Sequence, residues 1–312
     1  MKIVKPSHEI LIPESPYKHI ERIGRICYKS EDLITDISAE PFCKRMVSSG
    51  HHAMIEHYRF IISVQREDYY ILKNSNYNKY ITFTDRNGRY IISASARGLQ
   101  DMFIAEDSQW IRETLIYIIN YIIKEYDCSA LFSEIFLETY DPDLPSSAYS
   151  MLAIKDFNRL TDEEYIMHAW YSVYLVCDRG VSHELVRHRD ASFAQESTRY
   201  CNYGKGKFGN EITVIEPYFF NDYITRRNKW KAAMDVAELA YLQLLDIDAT
   251  PQEARTVLPN SLKTEIVVTA QVYEWLHIFD LRVLGTTGKP HPQMIEVMKP
   301  VRDEMIERGF IE

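Results

Sequence analysis

Apolar and polar positions change period several times along this chain, and each change marks an element. Residues 1–12 alternate as a short strand, and Ser15-Pro16 then opens a helix through IERIGRICY, with serine as cap and proline in the first turn. A second helix is predicted from Ala39 to Ser49, stopped by Gly50, and Tyr58 to Val64 alternates as a strand. Tyr80 to Ser93 reads as a hairpin turning near Asn87-Gly88. From Ser108 to Tyr126 the spacing is helical, with Trp110, Leu115, Ile118, Ile119 and Ile122 on the core face. Asp141-Pro142 and Leu144-Pro145 break the chain. Ala169 to Cys177 is a β-rich apolar run, after which Gly180 is a hinge and Ser182 caps a short helix through Arg189. Ile212 to Ile215 is a short strand and Asp222 to Leu245 a long amphipathic helix. Thr250-Pro251 starts a short helix with Glu253 as capping-box partner. Leu262 to Ile278 reads as helical, and a last helix runs from His291-Pro292 to Gly309. Strands and helices mix without strict alternation, so the class is α+β or a loosely mixed α/β.

Composition narrows the picture. The 312 residues are 46% hydrophobic and 26% charged, enough for a sizeable core. With no low-complexity linker and no internal repeat, residues 1–312 are expected to form one elaborated domain. The start, MKIVKPSHEILIPE, lacks the apolar run of a signal peptide, and charges interrupt every long apolar stretch. Cys27, Cys43, Cys128, Cys177 and Cys201 are scattered and odd in number, as expected of reduced thiols in the cytoplasm. A formal net charge of -9 argues against a general nucleic-acid binder.

Against that acidic background, RHRDASFAQESTRY stands out: Arg187, His188, Arg189 and Arg199 crowd positive charge into a short span. Guanidinium groups make paired hydrogen bonds to phosphate, while Ser197 and Thr198 add hydroxyls and Gln195 an amide able to read a ring edge. The set suits a phosphorylated heterocycle; the bland alternative is a solvated basic turn paired with local acids. GHHAMIEH (Gly50 to His57) invites a metal reading, but it lacks the HExxH pattern and sits at a helix end. Arg255 in EARTVLP is placed either to reach an anion or to form a surface pair. Cys27, in RICYKSED, has no base adjacent in sequence to make it a nucleophile.

Arg-His-Arg, seven residues, Ser197 and then Arg199-Tyr200 resembles the signature of flavin-dependent thymidylate synthases. The flanking runs RGVSHELVRHR and CNYGKGKFGNEI are similar to the same family. The resemblance covers most of the chain and is weakest between Gln65 and Asp162. It implies a central, mostly antiparallel sheet with long helices, and a homotetramer with active sites between subunits. Deoxyuridylate (dUMP) is the implied substrate, FAD the cofactor, and methylenetetrahydrofolate and NADPH the carbon and electron donors. By the same resemblance Glu184, Arg187, Gln195, Glu196, Ser197, Thr198, Arg199, Arg255 and Arg282 contact dUMP. Gln195 to Arg199 come from a different subunit, and Arg199 holds the phosphate. Cys27, His51, Ala53, Arg187, His188, Arg189, Gln195, Gln271, Tyr273 and His277 would lie against FAD. Glu56 and His57 would support the fold. No metal, nucleic acid or membrane is implied.

The chain departs from this pattern in one segment. Relatives read close to ANLREW where this chain has AQVYEW, so glutamine replaces asparagine at Gln271 and Tyr273 replaces a flavin-contacting arginine. Tyrosine can stack or hydrogen-bond but carries no positive charge. Arg282 is intact; in the family its counterpart bonds the uracil ring and stabilises charge developing at N3 and O4, which is electrostatic stabilisation of an anion. No GxGxxG follows a strand, so no Rossmann site is expected. Two rival readings remain: a nucleotide-binding paralogue with weakened flavin binding, and a metal-dependent nucleotide phosphohydrolase using the GHHAMIEH histidines.

Overall fold

The computed structural model describes residues 1–133, 135, 151–199, 201–204 and 209–312. The expected breaks at Asp141-Pro142 and Leu144-Pro145 lie outside them, as do Tyr200 and residues 205–208. Strands β1 (Lys2–Val4), β2 (Ser7–Leu11), β3 (Arg59–Val64), β4 (Thr82–Arg86), β5 (Arg89–Ser95), β6 (Leu152–Ala153), β7 (Trp170–Asp178), β8 (Ser192–Gln195), β9 (Thr213–Ile215) and β10 (Lys263–Gln271) form three sheets. Two are four-stranded and antiparallel, ordered β2-β7-β10-β8 and β4-β5-β3-β6; β1 and β9 form a parallel pair. With helices against both larger sheets, the class is mixed α/β, as the sequence suggests.

Strand β10 is the centre of the first sheet and corrects the helical reading of Leu262 to Ile278. It pairs with β7 from Lys263↔Asp178 to Gln271↔Trp170, and the helix begins only at Val272. The run Ile266-Val267-Val268-Thr269 is β-branched throughout. Ile266, Val268 and Ala270 pack into one hydrophobic cluster with the C-terminal helix Pro292–Glu307; Val267 packs into another with Trp170 and Ala194. Both faces are covered from Thr264 to Gln271, and the unbroken apolar triplet Ile266 to Val268 masks the period of two on either side of it.

Other boundaries also move. Residues 1–12 form two strands, separated at Lys5-Pro6, because proline cannot donate to a ladder. The helix expected from Ser182 instead spans Arg179–Leu185, capped by Asp178, whose carboxylate accepts from the Val181 amide at 2.9 Å. Ser182 is buried inside it, and Arg187 to Asp190 leave the helix as turns. On the helix Gln109–Tyr126, Leu115, Ile118, Ile119 and Ile122 are fully buried, but Trp110 is 68% exposed in the first turn, before burial begins at Thr114. The helix Ile224–Asp246 has only Met234 and Tyr241 buried, while Val236 and Leu239 face outward. One face, through Trp230, Met234, Tyr241 and Leu245, still packs against the third hydrophobic cluster, with Tyr203, Ile212 and Leu262.

The remaining signals are where the residues place them. Ser15 accepts from the Lys18 amide at the start of Pro16–Tyr28. The second helix spans Ala39–Ser48. Asn87 (φ 51°) and Gly88 (φ 74°) both adopt the left-handed conformation that a two-residue hairpin turn between β4 and β5 requires. The Thr250–Glu253 capping box is formed. All five cysteines are free and buried. No helix among the described residues is long and apolar enough to cross a membrane.

Candidate functional site

The turn carrying Arg187, His188 and Arg189 stands between two cavities. It follows the Asp178-capped helix and precedes β8, so both its ends are tied to the first sheet. The first cavity, about 620 Å³, is lined by Glu184, Arg187, His188, Arg189, Glu274, His277, Arg282 and the 287–291 loop. Arg282 lies in a short π-helical turn, Asp280–Leu284, that continues the helix Val272–Phe279. Its guanidinium is held at three points: Nε donates to His188 Nε2 (3.1 Å), Nη1 to Glu184 Oε2 (3.2 Å) and Nη2 to the Glu184 carbonyl (3.1 Å). A guanidinium has five N–H donors, so two remain for the cavity. Because His188 Nε2 accepts from Arg282, its proton sits on Nδ1, which donates to Glu274 Oε1 at 3.2 Å. The buried imidazole thus links a buried carboxylate to a cation, and His277 packs edge-on against it.

A second cavity of about 620 Å³ lies on the other side of the turn and shares Arg189 and Asp190 with the first. Its walls include Arg59, Lys79, Tyr80, Arg97, Gln271 and Tyr273. The Gln271 amide is buried and engaged inward: Nε2 donates to Ser93 Oγ and the Met167 carbonyl, and Oε1 accepts from Thr82 Oγ1. A third, smaller cavity of about 370 Å³ contains Tyr28, His51, His52, Ala53 and Arg97, the last shared with the second. Exposed His51 accepts from or donates to Tyr28 Oη through Nδ1 at 2.8 Å and stacks on its ring. Together the three cavities gather His51, Ala53, Arg187, His188, Arg189, Gln271, Tyr273 and His277 along one path.

Other residues singled out by sequence go elsewhere. Cys27 is buried, and burial pushes its thiol up to about 12, which removes the thiolate that nucleophilic attack requires. Gln195 donates to Ser182 Oγ (2.9 Å) and Thr264 Oγ1 (3.1 Å). Glu196 is buried in an ion pair with Lys263 (3.0 Å) and accepts from Tyr203 Oη. Lys263 also binds Glu265 (2.6 Å), which binds Lys29 (2.6 Å). Burial opposes ionisation of Glu265, but these two ammonium groups and Tyr174 outweigh it and hold its carboxyl below the usual range. Ser197 is half-buried and Thr198 buried, whereas Arg199 and Arg255 are exposed. None of Gln195 to Arg199, nor Arg255, lines any of the three cavities. In the GHHAMIEH segment, Glu56 pairs with Arg97, and His57 is buried with Nδ1 2.7 Å from Thr269 Oγ1. Among the described residues no group of three or more His, Cys, Asp or Glu side chains is placed to hold a metal. Arg59, Tyr80 and Arg97 were missed by sequence reasoning because each stands alone outside any motif, and Glu274 because only its neighbours Gln271 and Tyr273 in AQVYEW drew a role; the fold brings all four to these walls.

The family model described as "Thymidylate synthase complementing protein" matches residues 147–307. The flavin-dependent thymidylate synthase of Geobacter sulfurreducens is 38% identical over 104 residues, 33% of this chain and 43% of that protein. That of Pyrococcus furiosus is 32% identical over 150 residues, 48% of this chain and 59% of that protein. The chain spans about half the length of the first curated relatives it matches. Among solved structures, the UMP/dUMP methylase PolB from Streptomyces cacaoi bound with 5-Br dUMP aligns with a TM-score of 0.43 and 13% identity, over 98% of this chain and 93% of that one.

Proposed function

Since the chain belongs to the thymidylate synthase complementing protein family, we propose that it converts dUMP to dTMP, with methylenetetrahydrofolate as carbon donor and NADPH-reduced FAD as hydride source. The observation that carries this reading is the Glu274–His188–Arg282 chain on the wall of the first cavity. C5 of a uracil ring becomes nucleophilic only as negative charge spreads onto N3 and O4. Arg282 is held rigidly at three points with two N–H donors to spare, so it can meet that charge without first reorganising. Glu274 keeps His188 in the tautomer that accepts from Arg282. Arg187 and Arg189, exposed at the same turn, offer guanidinium groups to a phosphate.

A flavin fits the donor set on this path, which carries a buried guanidinium nitrogen without a partner at Arg59 beside the aromatic walls Tyr80 and Tyr273. Bound there, reduced flavin supplies the hydride. Arg187, His188, Arg189, Tyr273 and His277 would hold it, and Arg282 would orient the pyrimidine beside it. The other expected nucleotide contacts, Gln195 to Arg199 and Arg255, lie away from these cavities in one protomer. The reading therefore includes a homotetramer in which a neighbouring copy brings that edge to the site, each chain acting as one cytoplasmic domain.

The test is tritium release from 5-tritiated dUMP with FAD, NADPH and methylenetetrahydrofolate. Wild type is expected to release tritium, and Arg282→Ala to lose at least about 100-fold in turnover, the scale seen when one oriented donor to a developing anion is removed. No release by wild type, with dUMP still bound, would favour the paralogue reading. Full activity in Arg282→Ala would remove the role assigned to this residue.

A further inference from the structure

Arg59 opens β3, and its guanidinium faces the second cavity. Nη2 donates to the Ser93 carbonyl (3.2 Å) and to Thr82 Oγ1 (3.4 Å), both neutral, and Nε is buried with no partner. Among the described residues no carboxylate comes within ion-pair distance of it; Glu56 and Asp190 act on it only from further off. Of the other arginines on this wall, Arg97 is neutralised by Glu56 at 2.5 Å and Asp101 at 3.3 Å, and Arg189 is exposed on the turn shared with the first cavity. Lys79 stands over the Tyr80 ring, 5.1 Å from Nζ to centroid. Gln271 is engaged inside the protein, and Tyr273 brings a phenol but no charge.

A cation taken out of water without a counter-ion costs several kcal/mol, and the protein leaves that cost unrelieved at the edge of a cavity. Burial alone pushes the Arg59 guanidinium down, to about 10, which leaves it charged at neutral pH. An oxyanion entering the cavity would relieve it, and Nη1, which has no partner among the described residues, can donate to a phosphate oxygen. Aromatic walls at Tyr80 and Tyr273 suit a ligand that also carries a flat ring.

We propose that Arg59 is the residue that holds the phosphate of a phosphorylated aromatic ligand in the second cavity, while the rest of that ligand reaches past Arg189 toward the first. Naming the ligand as FAD rests on the function proposed above; the phosphate chemistry does not. The same chemistry is offered by a free nucleoside diphosphate, so the experiment separates the two sources.

With the full chain, FAD, riboflavin and ADP are titrated by flavin fluorescence and calorimetry against wild type, Arg59→Gln, Arg59→Lys and the double variant Arg59→Gln with Tyr273→Arg. Arg59→Gln is expected to weaken FAD and ADP by at least about tenfold, the scale of a lost charge-assisted bond, and to leave riboflavin unchanged. The double variant, which returns a guanidinium to the same wall, is expected to recover most of the FAD affinity. The melting temperature of ligand-free Arg59→Gln is expected to equal or exceed that of wild type, because an uncompensated buried charge is gone. FAD and ADP binding that ignores Arg59→Gln overturns the proposal while leaving the thymidylate reading intact. Arg59-dependent binding of ADP without FAD upholds the proposal and removes the flavin reading. Binding of neither by wild type overturns it. Should Arg59→Gln fail to fold, Arg59→Lys decides: FAD and ADP affinities that fall while riboflavin affinity holds uphold the proposal, and affinities that stay unchanged for all three, or fall equally for all three, overturn it.

Discussion

His188 is the residue on which the proposed chemistry turns, and its role is set by what flanks it. Glu274 accepts a hydrogen bond from Nδ1–H and keeps the proton there, so Nε2 is free to accept from Arg282. Glu274→Gln keeps an acceptor for that proton and is expected to retain turnover within about tenfold, whereas Glu274→Leu frees the other tautomer, sets two donors against each other and is expected to cost about 100-fold. Equal kcat in both variants would show that the tautomer does not matter. Cys27 makes the opposite case. Its buried thiol, pushed up to about 12, takes no part as a nucleophile, so Cys27→Ser is expected to keep tritium release near wild type. Loss of release in a Cys27→Ser protein with unchanged melting temperature would revive covalent catalysis. Arg282 was legible because it sits in a recognisable run of residues. Arg59 was not, since a single arginine between Tyr58 and Phe60 says nothing of the neutral partners around it.

The element that places the arginine-rich turn is the short helix Arg179–Leu185, and its anchor is Asp178. Besides capping the helix, Asp178 accepts from Gln293 Nε2 at 3.0 Å, tying the strand end to the first turn of the C-terminal helix. Burial raises the Asp178 carboxyl, opposed by the Val181 and Gly180 amides. Asp178→Ala is expected to lower stability by about 1–2 kcal/mol, as for a lost helix cap, read as a fall in the urea midpoint at constant slope. An unchanged midpoint would mean that the cap contributes nothing. At this scale short-range chemistry was readable: Ser15-Pro16, Asn87-Gly88 and Thr250 to Glu253 each act through neighbours in sequence. The failures share a cause. In both a boundary was placed on the wrong residue: Lys263 to Gln271 is a strand that runs directly into the helix from Val272, and Gly180, read as a hinge, lies inside the helix that Asp178 caps.

Across the whole molecule, three histidines lie buried where the charged form is disfavoured. His19 and His168 are pushed down to about 3 and His57 to about 4, in each case chiefly by burial. His19, Ser172, Thr269 and His57 form one hydrogen-bonded chain beneath the first sheet, and His168 bridges Ser93 and Thr84 of the second. Below the ordinary histidine pKa of about 6.5 the unfolded chain takes up protons that the native state refuses, so stability falls as pH drops. Between about pH 6.5 and pH 4 each of these histidines is expected to cost up to about 1.4 kcal/mol per pH unit; below the usual glutamate range, protonation of Glu265 adds to the loss. Melting temperatures measured from pH 7 to pH 4.5 should decline steadily, and His168→Gln should decline less steeply; a flat profile would contradict this account. The sequence by itself determined the family, the mixed class, the caps and turns, and the cationic signature, because these depend on residue identity at fixed spacing. Only the tertiary structure decided that Arg189 divides two cavities, that Glu196 is held in a buried ion pair, and that Arg59 is a cation without a counter-ion among the described residues. Those facts depend on which side chains meet from distant parts of the chain and how much water is removed between them, and neither is a property of spacing.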